Sequence, residues 1–147
     1  MEYKVAQFES LTPQEVYLIL QLRAAVFVVE QECPYLDPDG KDQEALHVLG
    51  FDAGNLVAYT RILTPGKDGA DCSIGRVVVD PQHRGAGSGR ELMLKSMETA
   101  QEHLGCESIH LSAQGYLREF YESLEFHAYG EPYLEDDIPH IAMMRRY

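Results

Sequence analysis

At 147 residues the chain fits one domain, 1–147, large enough to bury a core without help from metals or disulfides. Its 24 acidic against 12 basic residues give a formal net charge of −12, which repels nucleic-acid phosphates and anionic lipid, and no basic stripe offsets it locally. Neither nucleic acid nor membrane is therefore an expected partner; the charge serves solubility first and a cationic acceptor second.

Three cysteines, Cys33, Cys72 and Cys106, match neither an even disulfide framework nor a close-spaced zinc pattern, which suggests a reducing compartment. The charged start, Met1 to Glu9, lacks the apolar stretch of a signal peptide, and no later run is apolar and long enough to span a bilayer. A cytoplasmic location is the expectation.

Tyr3 to Phe8 alternates and reads as a strand. Thr12-Pro13-Gln14-Glu15 combines an N-cap, a first-turn proline and a capping-box glutamate, and apolar residues at helical spacing carry that helix on to Phe27. Gln31 to Leu46 has turn chemistry. His47 to Phe51 and Leu56 to Leu63 are strands joined by the hairpin signal Asp52-Ala53-Gly54-Asn55. A loop over 64–71 precedes a strand from Cys72 to Val79, in which Gly75 suggests a bulge or a close backbone approach.

A periodic helix begins near Arg90 and stops at Gly105. Ser108 to Ala113 reads as a strand, Tyr116 to Leu124 as a short helix, and His127 to Leu134 and His140 to Arg146 as two last strands around the acidic turn Glu135-Asp136-Asp137. This order predicts a mixed α/β domain with helices on both faces of the sheet. Edge strands near the termini offer a surface on which two copies could pair as a homodimer.

The run Arg84-Gly85-Ala86-Gly87-Ser88-Gly89 lies between a strand and a helix, where backbone N–H groups and the helix dipole favour an anion. A P-loop needs lysine and a hydroxyl residue after the last glycine, but Arg90-Glu91 stands there. A dinucleotide fingerprint needs a third glycine at position 90, which is arginine. Taken alone, the run is equally a loop that merely turns strand into helix.

Arg84, Gly87 and Gly89 fit the pattern Arg/Gln-x-x-Gly-x-Gly/Ala, and behind Val77-Val78-Val79-Asp80-Pro81 they resemble the Gcn5-related N-acetyltransferase (GNAT) family. Phe120-Tyr121-Glu122-Ser123-Leu124-Glu125-Phe126 resembles the family's second motif, with Glu125 where that motif has glycine. The segments from Leu22 to Tyr35 and from Glu135 to Ile141 resemble the ElaA-type branch of the family. The resemblance implies a mostly antiparallel sheet splayed between two parallel strands. It also implies that the backbone of Arg84, Gly85, Ala86, Gly87, Ser88, Gly89 and Arg90 holds the pyrophosphate of acetyl-coenzyme A, while the main chain of Val77, Val78 and Val79 serves its pantetheine arm and thioester.

Direct acetyl transfer to a primary amine, in a small molecule, peptide or protein, needs a neutral amine, a polarised carbonyl and a proton for the thiolate. It needs no metal, and the histidines show no shared ligand spacing. By motif position Tyr121 is the expected acid, although a buried tyrosine is often only a packed ring. Glu30 and His140 are the candidate bases, each equally readable as an ordinary polar residue. Cys33 as a nucleophile is disfavoured by its acidic neighbours. Two rival readings keep the same cradle: a non-catalytic acyl-coenzyme A sensor and a nucleotide-binding regulator.

Overall fold

The computed structural model describes residues 1–64 and 71–147, so most of the loop expected over 64–71 lies outside the described residues. The alternating stretches become β1 (Glu2–Gln7), β2 (Leu46–Asp52), β3 (Asn55–Leu63), β4 (Asp71–Val79), β5 (Ser108–Gln114), β6 (His127–Glu135) and β7 (Ile138–Arg146). The helices are α1 (Pro13–Arg23), α2 (Ser88–Leu104) and α3 (Arg118–Glu122). The strands form one sheet in the order β1-β2-β3-β4-β5-β7-β6, with β4–β5 its parallel pair and the other neighbours antiparallel.

Local chemistry explains most of the element boundaries. The capping box at α1 is complete: the Glu15 N–H donates to Thr12 Oγ1 at 3.1 Å, and the Thr12 N–H donates to Glu15 Oε1 at 2.8 Å. Between β2 and β3, Ala53 and Gly54 have φ of 49° and 83°, as a primed hairpin turn requires. The helix expected near Arg90 begins at Ser88, because Gly87 in a left-handed conformation already serves as its cap. After α3 the chain turns at Glu125 with φ 69°, so the tight turn forms without the glycine of the related motif.

Two sequence expectations are corrected. The first helix does not continue as α to Phe27; it ends at Arg23, and Ala24–Glu30 winds as a π-helix. Over two turns an apolar run such as Ala24–Val29 fits either winding, so its pattern could not separate them. The cysteines are not all free: Cys72 on β4 and Cys106 before β5 form a disulfide, their Cα atoms 5.8 Å apart. Their sequence separation of 34 hides a proximity that the parallel β4–β5 pairing creates.

Each face of the sheet carries its own apolar layer. Leu92, Met93 and Met97 of α2 pack with Val57, Ile74 and Ile109, whereas Ile19, Leu22 and Val26 pack with Leu49, Tyr59 and Val78 on the other face. Among the described residues no helix is long and apolar enough to cross a membrane.

Candidate functional site

The parallel pairing of β4 with β5 is brief. It joins Asp71–Ser73 to Ser108–His110; beyond it β4 runs on to Val79 and β5 to Gln114 without further ladder contacts, leaving a notch between them. Asp80 donates its N–H to Val57 O at 2.7 Å, and Ala58 lies opposite Val79. In an antiparallel ladder this makes Val79 a non-hydrogen-bonded position, with its N–H and C=O directed away from β3 into the notch. Val78 faces β3, and by alternation the main chain of Val77 faces the notch as well.

Immediately after β4 comes the glycine run. Gly85 and Gly87 have φ of 90° and 78°, and a Cβ at either would meet nothing within 4 Å, so glycine serves conformation there and not space. Glu91 donates to Gly87 O at 3.0 Å, whereas the N–H groups of residues 85–90 have no main-chain acceptor among the described residues. These donors gather at the positive end of a 17-residue helix. An open cleft of about 310 Å³ lies beside them, lined in part by His83, Arg84, Ala86 and Ser88.

The Arg84 side chain turns toward the notch and away from the glycines. Its Nε donates to Val79 O at 3.0 Å, and its two terminal nitrogens donate to the Glu30 carboxylate at 2.8 and 3.1 Å. The end of the π-helix is thereby tied to the start of the cradle.

Tyr121 sits on α3, and Phe120 beside it is the side chain that a Cβ at Gly89 would meet, at 3.7 Å. Tyr121 is 5% exposed and belongs to the apolar cluster against which Val77 and Val79 pack. Among the described residues its hydroxyl makes no hydrogen bond. Burial, reinforced by Tyr116, pushes its pKa up to about 12, so the phenol stays protonated at neutral pH.

His140 lies opposite Gln114 at the end of β5. Its Nδ1–H donates to Ile138 O at 2.6 Å, its Nε2 lies 3.3 Å from Glu135 Oε2, and its ring stacks on Tyr133. Gln114 in turn reaches Gln31 at 3.3 Å. Beside them opens a cleft of about 370 Å³, with Gln31, Glu32, Cys33 and Pro34 on one wall and Asp136, Asp137 and Ile138 on the other. The Cys33 thiol is pushed up by burial and by Asp136 and Asp137, which counts against a thiolate there. Among the described residues no group of acidic, histidine and cysteine side chains has the arrangement of a metal site.

Comparison with known proteins identifies the family and the fold. Residues 9–146 match the family described as "Acetyltransferase (GNAT) domain". The chain belongs to the GNAT family. Protein ElaA of Escherichia coli is 44% identical, the match covering 99% of this chain and 96% of that protein. The crystal structure of Escherichia coli ElaA superposes with a TM-score of 0.92 at 43% identity, over 99% of both chains. An acyl-CoA N-acyltransferase from Pseudomonas aeruginosa superposes equally well, with a TM-score of 0.92 at 40% identity over 99% of both chains.

Within this GNAT fold Val77, Val79, Glu30 and the Arg84–Arg90 run border the notch, Tyr121 lies in the apolar cluster on which Val77 and Val79 pack, and His140 lies by the second cleft. Val78, expected to serve the cofactor, instead turns its main chain to β3 and is buried against the first helix. Sequence reading missed the Glu30–Arg84 pairing and a charged network under the loop after the π-helix. Arg23, fully buried, bonds Asp37 at 2.8 Å and Asp42 at 2.7 Å; Arg61 bonds Asp39 at 2.8 Å and Asp42 at 3.1 Å; Arg76 approaches Asp37 at 2.9 Å. The three aspartates were visible as turn residues. Their arginines come from three separate elements, and no local pattern links them.

Proposed function

We propose that this chain transfers an acetyl group from acetyl-coenzyme A directly to a primary amine within a ternary complex. The observation that carries this reading is the alignment of the notch-facing main chain of Val77 and Val79 with the unpaired N–H groups of residues 85–90. A pantetheine arm offers amides that pair with Val79 as a strand would, and a pyrophosphate accepts the row of N–H donors.

The Val77 N–H then polarises the thioester carbonyl where negative charge develops. Tyr121, buried and protonated, donates to the departing thiolate. The amine enters by the acidic cleft between Gln31–Pro34 and Asp136–Ile138, whose carboxylates suit a cationic acceptor before it loses its proton. Glu30 is the nearer base to the notch, and His140 stands at the acceptor side.

A second reading rests on one specific observation: Glu30 and both nitrogens of His140 are already engaged, as suits a non-catalytic acyl-coenzyme A sensor. Mass spectrometry of a panel of amines incubated with the protein and acetyl-coenzyme A separates the two. Acetylation of any amine supports the enzyme; binding of the donor without turnover across a broad panel supports the sensor.

A further inference from the structure

We propose that Arg76 is a positioning residue for the acyl carbonyl, holding the β4 bulge that directs the Val77 N–H into the notch; this rests on the reading that the notch takes acyl-coenzyme A. Tyr59 lies opposite Val78 and Arg61 opposite Gly75, so Thr60 alone faces both Arg76 and Val77. The extra residue sets the phase of everything after it. Were the bulge ironed out into a regular ladder with Gly75 still opposite Arg61, Val77 would lie opposite Tyr59, whose main chain faces β4, and its N–H would bond β3 instead of facing the notch.

The bulge depends on an unfavourable backbone. Arg76 has φ 50°, a conformation that a residue with a Cβ resists. Its side chain supplies the compensation. Nε lies 2.9 Å from Asp37 Oδ1, one terminal nitrogen donates to Asp37 O at 2.9 Å and reaches Asp39 Oδ2 at 3.4 Å, and the guanidinium lies over the Tyr35 ring at 5.8 Å. The anchor is itself rigid. Asp37 is 3% exposed and also bonded by Arg23 and Tyr35, and Asp39 is gripped by two nitrogens of Arg61 at 2.8 and 2.9 Å. The docked loop thus holds Arg76 in place, and Arg76 holds the bulge.

Infrared spectroscopy of carbonyl-labelled acetyl-coenzyme A, free and bound to the full chain, reads this directly, because a hydrogen bond to the thioester lowers its carbonyl stretch. Arg76→Ala keeps the awkward backbone without its anchor, and about half or more of the wild-type shift is expected to disappear while affinity for free coenzyme A stays within about twofold. Arg76→Gly also lacks the anchor but accepts φ 50° freely, and should restore the shift. Should Arg76→Ala fail to fold, Asp39→Asn, at a more exposed site, should show a partial loss. A wild-type shift in Arg76→Ala or, failing that variant, in Asp39→Asn overturns the proposal, as does an equal loss in the alanine and glycine variants. If the wild-type chain does not bind acetyl-coenzyme A, the reading of the notch falls and this inference with it.

Discussion

Arg84 grips both carboxylate oxygens of Glu30, at 2.8 and 3.1 Å, while its Nε occupies the carbonyl of Val79. A pantetheine amide pairing with Val79 needs that same carbonyl. If the notch takes the donor as proposed, donor binding competes with the Arg84 contact and loosens its hold on Glu30, the proposed base.

Glu30→Gln tests this coupling. With a weaker hold on Arg84 it should bind coenzyme A a few-fold more tightly, and without the carboxylate it should turn over roughly 10-fold or more slowly. Isothermal titration and steady-state rates with an accepted amine measure the two effects. Unchanged turnover would remove Glu30 from the reaction and leave His140 as the base.

Tyr121→Phe should leave coenzyme A affinity within about twofold and lower turnover about 100-fold, because in the proposed mechanism the phenol acts only as sulfur departs. With its pKa pushed up to about 12, Tyr121 remains the proton-bearing form across the neutral range. A loss of activity near pH 9 would thus have to come from another group. Equal losses in affinity and turnover in Tyr121→Phe would count against the acid role.

Much of this site was legible because its parts are local. The glycines at 85 and 87 announce left-handed turns before a helix, and the valines at 77–79 announce a strand ending there. Gly75 even hinted at the bulge, although the left-handed residue is its neighbour Arg76. What could not be read is partnership across the fold: Glu30 with Arg84 over 54 positions, Arg76 with Asp37 over 39, Cys72 with Cys106 over 34. Such pairs leave no period or motif; only the topology brings them together.

His47 carries a pH dependence in the same network. It is 1% exposed; its Nε2–H donates to Asp42 O at 2.8 Å, so Nδ1 accepts the Tyr59 hydroxyl at 2.6 Å and the ring is neutral. Burial, then the nearby Arg23 and Arg61, lower its pKa from the ordinary 6.5 against the opposing pull of Asp42. The unfolded chain thus binds a proton that the folded chain refuses. This contribution to stability is complete above about pH 6.5 and is lost as pH falls toward the folded value. Asp39, held down chiefly by its bonds to Arg61, adds a loss of the same sign at lower pH, below the ordinary 3.8. Denaturant titrations between about pH 5 and 7 should show stability rising with pH, and His47→Gln should flatten that slope without abolishing the acid transition below it. A slope unchanged in His47→Gln would assign it to another group.

Glu125 offers a gain in stability. Its φ of 69° is left-handed, its N–H closes the turn onto Glu122 O at 2.9 Å, and its side chain is exposed but for a contact with Arg145 at 3.1 Å. A Cβ in that conformation costs about 1–2 kcal/mol, the added chain freedom of glycine when unfolded returns roughly 0.5–1 of it, and an exposed ion pair contributes less than about 1. Glu125→Gly should therefore raise stability by roughly 0.5 kcal/mol, and Glu125→Gln, which removes only the ion pair, should lower it slightly. Thermal unfolding of the two variants beside the parent distinguishes backbone from charge. Both variants lack the Arg145 contact, so a glycine variant less stable than the glutamine one would mean that the left-handed backbone at 125 costs less than the chain freedom glycine adds to the unfolded state.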